Sequence, residues 1–246
     1  MVKIIDISKH NGSIDFSKVK ADGISGVIIR AGFGRLSSQK DPMFETYYAG
    51  ARAAGLDIGA YWYSYAVSAE EAKAEAAVFL EAVKGKKFEL PLYLDIEERK
   101  QVSLGKKVCS EMAEVFCSVL EEAGYFAGIY SFDSFFGSNL TEKVQARFSC
   151  WAARVENVKP VYCQSYAMHQ YTWKGIVNGI NGDVDISYCY CDFPAVIKKA
   201  GLNGWKKAVT YSVKAKIGSC SEAKAESIAA ACSKMGMTVI TKEEQA

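Results

Sequence analysis

No stretch of this 246-residue chain approaches the ~20 consecutive apolar residues that a membrane-spanning helix needs, so no membrane insertion is expected. Charge of one sign is missing too. Thirty Lys and Arg against 28 Asp and Glu leave a net +2, and the lysines are scattered among acids, which excludes a dedicated nucleic-acid partner. Histidine is nearly absent, with two residues, and neither Cys-x-x-Cys nor His-Glu-x-x-His occurs. No metal site and no cofactor is therefore expected. The start, Met1-Val2-Lys3-Ile4-Ile5-Asp6, lacks a charged segment followed by a long apolar one, so no secretory signal is expected. The chain is therefore expected to be made in a cytoplasm, and to act outside it only if another agent releases it. The eight cysteines do not form a disulfide framework on this reading. Cys109 and Cys117 fall near one apolar helical stripe, and Cys150 and Cys163 sit in apolar or aromatic company, as buried thiols do.

What is present is a regular alternation of short apolar runs and amphipathic stretches. Residues 4–8, 26–31, 58–63, 90–95 and 126–130 read as strands ending near acids, glycines or aromatics. Between them lie helical patterns. Asp41-Pro42 suggests a cap with proline at the first helical position, Ser68-Ala69-Glu70-Glu71 is a capping box, and Val108, Met112, Val115, Phe116, Val119 and Leu120 recur at helical spacing. Three further strands are expected at 148–152, 168–171 and 184–187, with a closing helix over 192–200. Strand–helix alternation is the sequence form of a parallel sheet. Eight strands in under 200 residues imply an irregular (β/α) barrel of the TIM type, with few or short helices in its later units. Chemistry in such barrels gathers at the C-terminal strand ends, where Asp6, Asp95, Glu97 and Asp185 are all expected.

Asp95-Ile96-Glu97, after Leu90-Pro91-Leu92-Tyr93-Leu94, is the stretch that carries chemistry. Residues two apart on a strand share a face. Two carboxyls so placed repel when both are ionised, and in a cleft one is driven to hold its proton while the other stays charged. Glycosidic cleavage uses that division, although the same tripeptide also serves as a solvated strand end or helix cap.

The run Asp6-Ile7-Ser8-Lys9-His10-Asn11-Gly12-Ser13-Ile14-Asp15-Phe16 resembles the opening signature of the family 25 glycoside hydrolases, the Chalaropsis-type lysozymes. Gly59-Ala60-Tyr61-Trp62-Tyr63 resembles that family's third strand, and Leu94-Asp95-Ile96-Glu97 its catalytic Asp-x-Glu. Trp151-Ala152-Ala153-Arg154, His169-Gln170-Tyr171 and residues 179–185 follow as later blocks in the family's order. Asn11, His169 and Ser187 depart from the usual residues. The resemblance implies hydrolysis of the β-1,4 bond between N-acetylmuramic acid and N-acetylglucosamine in bacterial peptidoglycan. It implies Glu97 as general acid, Asp95 as the residue assisting the substrate acetamido group, and Asp6 and Asp185 as supporting carboxylates. Tyr61, Tyr63, Tyr130, Trp151, Gln170, Tyr171 and Asp183 would be substrate-binding, Asp183 from a loop or a supporting position. A phage-type endolysin is the expected setting. A chitinase-like hydrolase and a non-catalytic wall-binding barrel are the alternatives.

The pattern changes near residue 204, so residues 1–204 are read as the catalytic barrel and 205–246 as a small module. Residues 209–217 and 237–241 alternate like strands, and Ser219-Cys220-Ser221-Glu222 opens a helix running to Gly236. This β-α-β unit resembles half of a sporulation-related-repeat fold. The expectation is wall binding or pairing with a second copy as a homodimer.

Overall fold

The computed structural model describes residues 1–155, 158–163, 165–207 and 220–236. The chain divides into two compact units, Met1–Ala208 and Val209–Ala246. In the first, eight strands run β1 (Val2–Ile7), β2 (Ile24–Phe33), β3 (Asp57–Tyr63), β4 (Leu92–Asp95), β5 (Ala127–Phe132), β6 (Ser149–Ala153), β7 (Tyr166–Gly175) and β8 (Val184–Cys189). They close into a barrel in sequence order. Strands β1 to β7 are parallel, but β8 is antiparallel to both β7 and β1. The parallel pairing read from strand–helix alternation thus holds through β7, and β8, which no helix precedes, runs the other way. That reversal explains Asp185, which lies at the start of β8 and still faces the C-terminal ends of the other strands.

Residues of alternate parity sort to the two faces of each strand. Ile4, Ile28, Tyr93, Tyr130, Trp151, Met168 and Cys189 form one buried cluster inside the barrel. Ile5, Val27, Ile29, Ile58, Leu92, Leu94 and Ile129 belong to the other, which they share with the helices. Gly128 keeps the interior from overfilling. A Cβ there would lie 2.4 Å from the Tyr93 ring and 2.7 Å from the Ser149 carbonyl.

The helices are α1 (Phe16–Ala21), α2 (Phe44–Ala53), α3 (Ala69–Val83), α4 (Arg99–Val102), α5 (Gly105–Glu122), α6 (Asp133–Asn139), α7 (Glu142–Arg147) and α8 (Phe193–Ala200) in the first unit, and α9 (Glu222–Lys234) in the second. In α5 the residues Cys109, Met112, Ala113, Phe116, Cys117 and Leu120 are buried, a stripe at i, i+3 and i+4 spacing. Phe79 of α3 bridges strand and helix layers, stacked on Trp62 at 5.5 Å and tilted against Phe116 at 6.2 Å. Ser68 caps α3 by accepting from Glu71 N, and Asp192 caps α8 by accepting from Ala195 N, as the sequence patterns anticipate. Asp41 behaves differently. Helix α2 begins only at Phe44, and the buried Asp41 carboxylate instead accepts from Lys9 N, Met43 N and Arg30 Nε. A charged neighbour outcompetes the cap.

After α8 the chain returns beneath the barrel. The Asn203 side chain accepts from Phe126 N at 2.7 Å and donates to Leu90 O at 2.9 Å, and Trp205 Nε1 donates to Phe88 O. Trp205 therefore belongs with the barrel, just past the boundary read from the sequence. Of the second unit the structure describes α9, none of whose residues is buried. The strands expected at 209–217 and 237–241 lie outside the described residues.

Candidate active site

Strand β4 is only four residues long and ends at Asp95. Two bonds continue its path. Ile96 N donates to Tyr130 O at 3.1 Å, and Ser131 Oγ donates to Ile96 O at 2.6 Å. With Ile96 buried outward among the helix-facing residues, Asp95 and Glu97 both turn toward the barrel mouth. Glu97 lines a cavity of about 290 Å³ together with Arg99, Val102, Phe132, Ser134, Phe135, Ser138 and Asn139. A larger hollow of about 470 Å³, lined by Gly34, Arg35, Leu36, Gln39, Tyr65, Glu71 and Glu75, holds none of the four acids.

Asp6 and Asp185 stand opposite one another in the β1–β8 pair, on one face. Their carboxyls are close enough for each to shift the other, and a bond between them would need one to carry a proton. Burial, then the Asp185 charge, pushes Asp6 well above the usual carboxyl range, against the pull of the Gln170 amide. Burial raises Asp185 to about 6, with its bond from Asp6 acting the other way. Both carboxyls are thus raised, Asp6 with burial and the Asp185 charge acting together. Asp95 is also pushed well up, by burial first and then by Glu97 and Asp6, with Arg30 opposing. Glu97 rises to about 7 through burial, then the charges of Asp185 and Glu98. Among the described residues Asp95 Oδ1 and Glu97 Oε2 are buried without a hydrogen-bond partner. Leaving such atoms unpaired costs stability, a condition that protein structures tolerate where a substrate will supply the partner.

The other residues singled out from the sequence divide between the mouth, the core and the outside. Gln170, fully enclosed, donates through Nε2 to Asp6 Oδ2 at 2.9 Å and accepts at Oε1 from Tyr130 OH at 2.9 Å. Tyr61 lies beside the acids, its phenol pushed up by burial, then by Asp6 and Asp95. Tyr63 donates to Glu98 Oε1 at 3.1 Å and packs edge-on against Tyr65. Trp151 does not present a ring to the mouth. It is 1% exposed, wedged between Tyr93 and Tyr130, with its Nε1–H on Ser187 Oγ. Tyr171 lies on the outer face, stacked on Tyr188 at 4.3 Å. Asp183 is exposed in the loop before β8. Asp15 caps α1, accepting from Ser17 N and Lys18 N.

Three residues at the mouth had no signal in the linear reading. Arg30 reaches it from β2, anchored to Asp41 at 2.8 Å. Glu98 follows the Asp-x-Glu run and holds Tyr63. Trp173 is turned by a bulge: Gln170 pairs with Ser187, but Thr172 pairs with Ile186, so β7 carries an extra residue at this point. Simple alternation would send Trp173 outward with Tyr171. The bulge reverses parity and brings its indole N–H to Gln170 Oε1 at 2.8 Å.

The model for glycosyl hydrolases family 25 matches residues 5–180, ending before Asp185. The chain is 32% identical over 187 residues to an autolytic lysozyme of Clostridium acetobutylicum, covering 75% of this chain and 55% of that one. It therefore spans about half the length of that relative. It is also 29% identical over 188 residues to the uncharacterized protein YegX of Escherichia coli, covering 74% of this chain and 67% of that one. Among solved structures it resembles the CTP1L endolysin, with a TM-score of 0.71, 28% identity, and coverage of 80% of this chain and 70% of that one. The bacterial lysozyme of Streptomyces coelicolor follows at TM-score 0.65 and 25% identity, covering 81% of this chain and 96% of that one. With a closed barrel, an Asp-x-Glu at the tip of β4 and a family match over most of its length, the chain belongs to glycosyl hydrolases family 25.

Proposed function

We propose that this chain is a peptidoglycan hydrolase, an N-acetylmuramidase cleaving the β-1,4 bond between N-acetylmuramic acid and N-acetylglucosamine. One observation carries the reading: Glu97, raised to about 7, lines a cavity at the mouth of a barrel that also gathers Asp95, Asp6 and Asp185. A carboxyl that keeps its proton near neutrality is a competent acid for a glycosidic oxygen. Glu97 protonates the leaving oxygen as the substrate's acetamido oxygen attacks the anomeric carbon. Asp95 Oδ1, unpartnered in the free protein, accepts the acetamido N–H and so orients that group. Water then opens the cyclic intermediate and returns its proton to Glu97. Asp6 and Asp185, sharing one proton, keep a negative charge near the developing positive charge of the sugar.

The names of the similar proteins, an autolytic lysozyme and an endolysin, support the substrate class. A phage-type role in host lysis, with release through a membrane lesion, is part of the same proposal. For the second unit we propose wall binding or self-association. The test of the core reading is clearing of purified Gram-positive walls by wild type and Glu97→Gln, with reducing-end analysis. Wild type should release N-acetylmuramic acid reducing ends, and the variant should be slower by about 10²–10⁴-fold. Equal clearing by both would remove Glu97 from the chemistry.

A further inference from the structure

Trp173 stands apart from the other indoles on the barrel strands. Trp62 and Trp151 are enclosed, whereas Trp173 is 44% exposed. It is nonetheless held in place. Its Nε1–H donates to Gln170 Oε1 at 2.8 Å, and its ring meets Phe132 edge-on, with centroids 6.0 Å apart at 78°. Each anchor leads to the acids. Gln170 donates to Asp6, and Phe132 lines the cavity that holds Glu97. Exposed apolar side chains usually sit singly and loosely, but this one is clamped at its polar edge while much of its surface stays open.

We propose that Trp173 is a sugar-binding platform of the cleft, stacking the C–H face of a pyranose ring of the glycan strand next to the scissile bond. The proposal rests on the glycan-hydrolase reading above. Indole suits this task, since it offers a large rigid apolar face at small cost in rotamer freedom. The clamp has a second effect. Gln170 Oε1 accepts from both Tyr130 and Trp173, which leaves its NH₂ end toward Asp6. The Tyr130 bond keeps the amide oriented when the indole is removed, so the part of Trp173 is to bind sugar.

The test pairs kinetics on soluble peptidoglycan fragments with tryptophan emission. Trp173→Ala should raise KM about tenfold or more with kcat within about threefold, the signature of a lost binding contact. Trp173→Phe keeps a ring against Phe132, so its KM should stay within about threefold of wild type. Titrating Glu97→Gln with N-acetylglucosamine oligomers should change its emission, and Glu97→Gln/Trp173→Phe should show no such change, because Trp62 and Trp151 are shielded and Trp205 is bonded to Phe88 O at the opposite end of the barrel. An unchanged KM in a folded Trp173→Ala, or an emission change that persists in the double variant, would overturn the platform while leaving the hydrolase reading intact. Wild type inactive on every fragment would remove both.

Discussion

At the scale of single residues, the site is an arrangement of protons among carboxyls. Glu97 has an ordinary value of 4.5 and is raised to about 7, chiefly by burial. As the acid of the proposed reaction it must be protonated, so kcat should fall as pH rises through about 7. A rate that stays flat to pH 9 would show that another group supplies the proton. The same shift bears on stability. Between pH 4.5 and about 7 the folded protein holds a proton that the unfolded chain releases, so the Glu97 contribution to stability is largest at low pH and is lost as pH rises. At pH 8 the penalty is roughly 1–3 kcal/mol, allowing for partial solvent access. Glu97→Gln should therefore melt higher than wild type at pH 8, with the gap closing at pH 4. Calorimetry at the two pH values checks both the sign and the window.

At the scale of elements, short connections decide where side chains point. Asp133, at the start of α6, accepts from Val161, Tyr162 and Cys163 N and from Arg154, and so shapes the segment between β6 and β7. Burial works to raise its carboxyl, but those donors hold it below the usual range. Asn203 plays the equivalent part at the opposite end. It is fully buried, adopts a φ of 55°, and joins the chain after α8 to the entries of β4 and β5. Asn203→Ala would orphan Phe126 N–H and Leu90 C=O and place a Cβ residue with no polar group in a left-handed conformation. We expect a loss of about 2–4 kcal/mol, read as a melting point lower by several degrees. A variant melting within about a degree of wild type would show that neither bond contributes.

At the scale of the whole molecule, the barrel unit carries its own core, while α9 buries none of its 13 residues. A helix of that length is marginal in water without tertiary packing. Self-association is one way to supply it, and sedimentation of the full chain at micromolar concentration should then show a dimer. A monomer across the accessible range would remove the homodimer and leave wall binding as the role proposed for the second unit. None of the helices among the described residues is long and apolar enough to cross a membrane.

Much of this was legible in one dimension because its physics is local. Period-two and period-3.6 patterns specify which residues share a face on β1 to β5 and on α5, and they place Asp95 and Glu97 together, since strand alternation needs no knowledge of the partner strand. Other features depend on partners far along the chain. The antiparallel run of β8 sets Asp185 against Asp6, and no residue of Val184–Cys189 encodes that direction by itself. Tyr171 and Trp173 look equivalent by alternation, yet one extra residue in β7 separates them onto opposite faces. Trp151 reads as a platform near a strand tip and proves to be core, because the space beside it is filled by Tyr93 and Tyr130. Sequence by itself determined the eight strands and the longer helices of the barrel and offered the acids as candidates, since hydrophobic period and residue chemistry are written locally. Tertiary structure alone decided that the acids are raised, because burial and charge proximity arise only when strands far apart in sequence, as at Asp6 and Asp185, close the barrel.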